Sequence, residues 1–132
     1  MKKTYELFTG ENLKIAELIQ QRRYQMLVHS CIYYVLNDNI IDDRQWDEWA
    51  KELKALQEQY SEIAQQVTLN EYFNDWDAST GEFLPIRETW VIDLAKYVLR
   101  LQNISYCNST LKVINKVDSK KIKNSSGRRK LF

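Results

Sequence analysis

The chain has 132 residues, 44% hydrophobic and 28% charged, which suffices for one domain with a packed core and not for two. Its net charge of +1 hides an asymmetry: from Ser109 to Phe132 eight Lys or Arg face Asp118 alone, a balance of +7, so residues 1–108 carry −6. Such a body is not a uniformly basic nucleic-acid binder, and two distant cysteines with a single histidine argue against a zinc cluster or a disulfide framework.

The N-terminus, MKKTYELFTGENL, has two lysines but no apolar stretch behind them, and no uncharged apolar run of about 18 residues occurs anywhere. The expectation is a cytoplasmic protein without membrane contact, with Cys31 and Cys107 as free thiols and the NIS and NST triplets at 103 and 108 fortuitous. Three Gly, one Pro and a high content of Lys, Glu, Gln, Leu and Ala favour helix.

From Glu11 to about Leu36, the residues Leu13, Ala16, Ile19, Arg23, Leu27, Cys31 and Tyr34 recur at steps of three and four, the signature of one helix face. A second helix is predicted from Asp43 to Val67, with Trp46, Trp49, Ala50, Leu53, Leu56, Tyr60, Ile63, Ala64 and Val67 on its apolar side. Asp42 or Asp43 supplies a carboxylate cap for its first turn. The connection NDNII is short enough to force an antiparallel hairpin spanning 11–67.

Periodicity lapses over 68–87, an aromatic-rich loop (Tyr72, Phe73, Trp76, Phe83) expected to fold back on the hairpin. A third helix is predicted over 88–102, with Trp90, Leu94, Tyr97, Val98 and Leu101 on one face. The fold class is thus mainly α: a helical hairpin, a long connecting loop and a third packed helix. Residues 109–132 form a basic tail, expected to be flexible from 119.

The hairpin tip concentrates the chemistry. Tyr33, Tyr34, Asp42, Asp43, Trp46 and Asp47 converge where the first helix ends and the second begins. Aromatic faces can hold a planar cationic ring and carboxylates can accept ribose hydroxyls, but aromatics at helical spacing are as readily core and an Asp at a helix start as readily a cap.

The run HSCIYYVLNDNIIDDRQWDEWAKELKALQ resembles the N-terminal helical-hairpin domain of bacterial NAD-dependent DNA ligases over residues 12–67. That domain carries H-x-Y-x-Y-[Y/H]-V, a short spacer, D-x-x-Y-D and a long charged helix; the two align without a gap. His29, Tyr33, Tyr34, Asp43 and Asp47 match, whereas Cys31 and Trp46 stand where the family has Tyr. The resemblance implies that Tyr33, Tyr34, Asp43, Trp46 and Asp47 hold the nicotinamide mononucleotide half of NAD, with Trp46 stacking on the ring; no metal site is expected from the composition. The ligases' K-x-D-G nucleophile has no counterpart: KVDS at 116–119 lacks the glycine and has no nucleotidyltransferase core after it, so the expectation is a non-catalytic protein. The later segment DWDASTGEFLP is similar to small ligase-like proteins of bacteriophages.

Two functions follow as expectations. One is a module that binds NAD or nicotinamide mononucleotide and modulates DNA metabolism. The other is an inhibitor of a host DNA-processing or defence nuclease, acting through its acidic, aromatic surface, with Trp49, Trp76 and the terminal Arg128, Arg129, Lys130, Leu131 and Phe132 as partner contacts. The tail adds a weak, salt-sensitive electrostatic attraction for nucleic acid.

Overall fold

A computed structural model describes residues 4–116 of the chain and the side chains of 6–103. The tail residues Arg128, Arg129, Lys130, Leu131 and Phe132, and the KVDS string beyond Lys116, lie outside the described residues. Among the described residues the fold is all helix and turn: α1 (Thr4–Leu7), α2 (Gly10–Tyr34), α3 (Asp43–Gln59), α4 (Ser61–Ala64), α5 (Asn70–Phe73) and α6 (Thr89–Lys116). None of these helices is long and apolar enough to cross a membrane.

The predicted hairpin forms from α2 and α3, and α6 packs against the other side of α2. Being flanked twice, α2 is the central element, and from Gln25 to Ile32 every residue is buried. The single apolar face predicted for this helix therefore holds only for its first half, where Ala16, Ile19 and Arg23 are buried between half-buried or exposed neighbours. Ile19, Met26, Leu27, Ile32, Leu53, Phe73, Ile86 and Val91 are fully buried. Each such apolar side chain contributes about 1.5–3 kcal/mol through removal from water.

The chain leaves α2 through amide donors from Val35 and Leu36 to the Cys31 carbonyl (2.9 and 3.1 Å) and from Asp38 to Ile32 (3.0 Å). Asn37 takes the left-handed conformation (φ 54°) that turns the backbone, one that Asn tolerates better than most residues. Asp42 then caps α3, accepting the Gln45 amide at 2.8 Å.

Three expectations are corrected. The second helix does not run unbroken to Val67: it stops at Gln59, Tyr60 (φ −120°, ψ 51°) breaks it, and a single turn follows at Ser61–Ala64. The break frees carbonyl groups that a continuous helix would use, and Arg23 collects them. Its Nη1 donates to the carbonyls of Val67 (2.9 Å) and Thr68 (3.1 Å), its Nη2 to the carbonyl of Ala64 (3.1 Å) and to Asn70 Oδ1 (3.3 Å), and its Nε to Gln57 Oε1 (2.8 Å). The third helix continues past Gln102 to Lys116, because its Asn- and Ser-rich second half lowers helix propensity without forbidding helix. Its packed face is also rotated: Val98 is buried as expected, but Val91 and Ala95 are buried where Trp90 and Tyr97 were expected, and those two are exposed.

Arg23 has no solvent exposure, and its guanidinium lies 5.9 Å from the centroid of the Phe73 ring. Burial lowers its pKa to about 10, with the charge of Glu71 acting in the opposite sense, so it stays protonated at neutral pH. Replacing it leaves the buried Val67 carbonyl without this donor and removes one from the Ala64 and Thr68 carbonyls as well. Arg23→Met is expected to lose about 3–5 kcal/mol in chemical denaturation, whereas Arg22→Ala, which breaks a partly exposed pair with Glu52, is expected to lose under about 1 kcal/mol.

Candidate functional site

At the hairpin tip the C-terminal end of α2, the connection and the first turn of α3 enclose a cleft of about 310 Å³. All five residues singled out by the hairpin motif line it: Tyr33 and Tyr34 from α2, and Asp43, Trp46 and Asp47 from α3. Tyr33 and Tyr34 are exposed and meet edge to face, with centroids 4.9 Å apart. Asp42, Asp43 and Asp47 add exposed carboxylates to the lining. Asn39, Ile40 and Ile41 of the connection line it as well.

The remaining wall comes from the middle loop, at Ser79, Thr80 and Gly81. The hydroxyls of Tyr34 and Thr80 share a hydrogen bond of 3.0 Å, and the Thr80 carbonyl accepts the Trp76 indole N–H at 2.8 Å. Trp76 packs edge to face on both Trp46 (6.1 Å) and Phe73 (5.2 Å), so it fastens the loop to the hairpin. Ahead of this wall, Ala78 is left-handed (φ 68°), and the turn is closed by Ser79, whose amide and hydroxyl both donate to Asp77 Oδ1 (2.9 and 2.7 Å). These bonds hold the Asp77 carboxyl below its ordinary pKa.

Gly81 is buried flush against α2. A Cβ placed on it would sit 1.9 Å from Ser30 Oγ, 2.6 Å from Ser30 Cβ and 3.4 Å from the Trp46 ring. Ser30 in turn accepts the Trp46 indole N–H at 3.3 Å, fixing the ring that forms the floor beside it. The absence of a side chain at 81 is thus what lets the loop close the cleft. The sequence motif around the hairpin gave no sign of this wall; the DASTG string carried the signal, as a turn-forming cluster with a glycine.

His29 also lines the cleft. It is only 8% exposed, its ring stacks at a tilt on Trp49 (5.6 Å), and its buried Nδ1 has no hydrogen-bond partner. Burial lowers its pKa to about 4, so the ring is uncharged at neutral pH. Cys31, at a position where the ligase motif has Tyr, is fully buried, and desolvation raises its thiol pKa against a smaller opposing effect from Arg87.

The two tryptophans proposed as partner contacts are only partly exposed and already engaged. Trp76 holds the loop, and Trp49 lies between His29 and the Arg22 guanidinium, which is 5.5 Å from its centroid. Among the described residues, the most exposed large apolar side chain is instead Phe83, at 86%. No group of His, Cys, Asp and Glu among the described residues is arranged to hold a metal ion.

Comparison with known proteins agrees with the placement of the hairpin motif. A family model described as "DNA ligase-like, N-terminal NAD+-binding domain" matches residues 12–67, less than half of the chain. This stretch runs from the start of α2 to just past α4, and so contains the five cleft residues but not the wall at 79–81. Over these residues the hairpin is similar to that ligase-like domain. No curated protein and no solved structure matches the chain.

Two outcomes follow from this geometry. Gly81→Ala is expected to destabilise the protein by about 1–3 kcal/mol and to alter the near-ultraviolet dichroism of Trp46 and Trp76; Ser30→Gly in the same chain removes the clashing atoms and is expected to restore much of that loss. His29 binds a proton in the unfolded chain below its ordinary value of 6.5 but in the folded chain only below about 4. Its contribution is thus fully present above pH 6.5 and is lost as the pH falls toward 4, by up to about 3 kcal/mol. Denaturation curves between pH 7 and 4 are expected to show that slope in the wild type and a flatter one in His29→Gln.

Proposed function

We propose that the cleft binds the nicotinamide end of NAD or of nicotinamide mononucleotide, and that the protein is a non-catalytic binding module. The observation that carries this reading is the convergence of Tyr33, Tyr34, Asp43, Trp46 and Asp47, all within the matched segment, on one cleft closed from outside that segment by Thr80 and Gly81. Size supports it, since about 310 Å³ lies at the lower end of ligand-binding pockets and suits one nucleotide half rather than a whole dinucleotide. The chemistry is also apt. Tyrosine and tryptophan rings offer π-faces to a pyridinium ring, and the exposed carboxylates of Asp43 and Asp47 supply acceptors for the hydroxyl groups of a ribose.

A module of this kind acts by holding or withholding the nucleotide, which is how it modulates an NAD-dependent step of DNA metabolism. An inhibitory role toward a host nuclease remains compatible with the acidic body, but the Trp49 and Trp76 contacts invoked for it are occupied internally.

Calorimetric titration tests the binding reading. Nicotinamide mononucleotide and NAD at millimolar concentration are expected to give saturable heat with the wild type, and Asp43→Ala to weaken it at least tenfold. Absence of heat with both ligands, or an unchanged affinity in the variant, overturns the reading.

A further inference from the structure

We propose that the outer face of α6 pairs, antiparallel, with the same face of a second copy of this chain; the proposal stands apart from the nicotinamide reading. The helix carries two apolar faces. On one, Val91, Ala95 and Val98 are buried in the chain's own core. Beside it runs a stripe at alternating steps of four and three: Trp90, Leu94, Tyr97 and Leu101. Its rings are left 42% and 47% exposed, and its leucines are half-buried. In the sequence the same spacing continues to Ile104 and Leu111. An apolar stripe that returns every seven residues is the pattern by which one helix packs along another.

Charge selects a second copy and its direction. The helix runs back along α2, away from the hairpin tip: Gly81, ahead of α6 in the chain, abuts Ser30, whereas Trp90 meets Tyr24 edge to face with centroids 6.5 Å apart. By that alignment Gly10, where α2 starts, is level with position 104, so residues 105–116 of α6 outrun α2 by about 18 Å. There the helix leads into the basic stretch 109–132, which sums to +7. At the other end lies the hairpin tip, where Asp38, Asp42, Asp43 and Asp77 are exposed on a body of −6. Two parallel copies would set basic end beside basic end, whereas two antiparallel copies set each basic end beside the other's acidic tip. The overhang of one copy then runs past the start of α6 in the other, toward the turn that carries the exposed Phe83.

The flanks of the stripe agree with this direction. Asp93 and Arg100 are exposed along its outer side, and the Arg100 guanidinium lies 5.6 Å from the Tyr97 centroid. In an antiparallel pair centred near Tyr97, each Asp93 faces the other copy's Arg100. A parallel pair has no such match, because the opposite flank of the stripe is Val91 and Val98, which are buried.

The test is sedimentation equilibrium of the full chain, with far-ultraviolet dichroism to verify that each variant keeps its helix. The wild type is expected to dimerise, with a dissociation constant that rises about fivefold between about 50 and 500 mM salt. Tyr97→Glu is expected to raise that constant at least about tenfold at unchanged helix content. Asp93→Arg and Arg100→Asp each set like charges face to face and are expected to weaken the dimer about threefold or more; combined in one chain they exchange the charges and are expected to restore it. A monomer at all concentrations up to about 0.2 mM, or a dimer untouched by Tyr97→Glu, overturns the proposal. Indifference to salt, or loss without rescue in the double variant, overturns the antiparallel sense.

Discussion

The fold depends on one buried cation. Arg23 is fully enclosed without a carboxylate touching it, and what compensates its charge is a ring of oxygens from Ala64, Val67, Thr68, Gln57 and Asn70. Those oxygens are available because α3 ends at Gln59 and the chain leaves the helical path in steps. The arginine thus dictates where the second arm of the hairpin stops and how the middle loop departs. Through Phe73, which packs on both Arg23 and Trp76, the same cluster sets the course of the loop toward the hairpin tip.

At that tip, tight packing and open chemistry are divided between neighbouring residues. Ser30, Trp46, Trp76 and Gly81 fit closely and leave no freedom, whereas Tyr33, Asp43 and Asp47 remain exposed beside them. Binding residues held on rigid elements need little ordering when a ligand arrives, which lowers the entropic cost of association. Trp46 belongs to both groups: its indole N–H is taken up by Ser30 and its edge by Trp76, while the residue still lines the cleft.

Much of this was legible in the sequence, and the rest was hidden for physical reasons. Helical periodicity and the short NDNII connection were enough to bring Tyr33 and Tyr34 opposite Asp43, Trp46 and Asp47, because a tight turn between two long helices leaves little freedom. The same reasoning placed Arg23 on the packed side of α2 but assigned it no role, since its partners, three backbone carbonyls with the side-chain oxygens of Gln57 and Asn70, are brought together only by the chain's departure from the helical path after α3. The packed face of α6 was misplaced because Trp90 and Tyr97 are apolar by type yet lie at the surface, and Val91 and Ala95 are small enough to approach α2. The wall at 79–81 lies in a stretch without periodicity, where position is fixed by a left-handed Ala78, an Asp77 turn and a glycine's missing side chain. None of these has a repeating pattern to detect.

The bond between the Tyr34 and Thr80 hydroxyls joins residues 46 positions apart. Closing so long a segment costs loop entropy before any contact across it is gained, so the complete cleft is a property of the folded chain and not of the hairpin alone. A ligand that needs all of its walls binds the native state and not the unfolded one. Occupancy of the cleft is therefore coupled to the integrity of the whole domain: as ligand rises above its dissociation constant, mass action protects the protein from unfolding and from the proteases that act on unfolded chains.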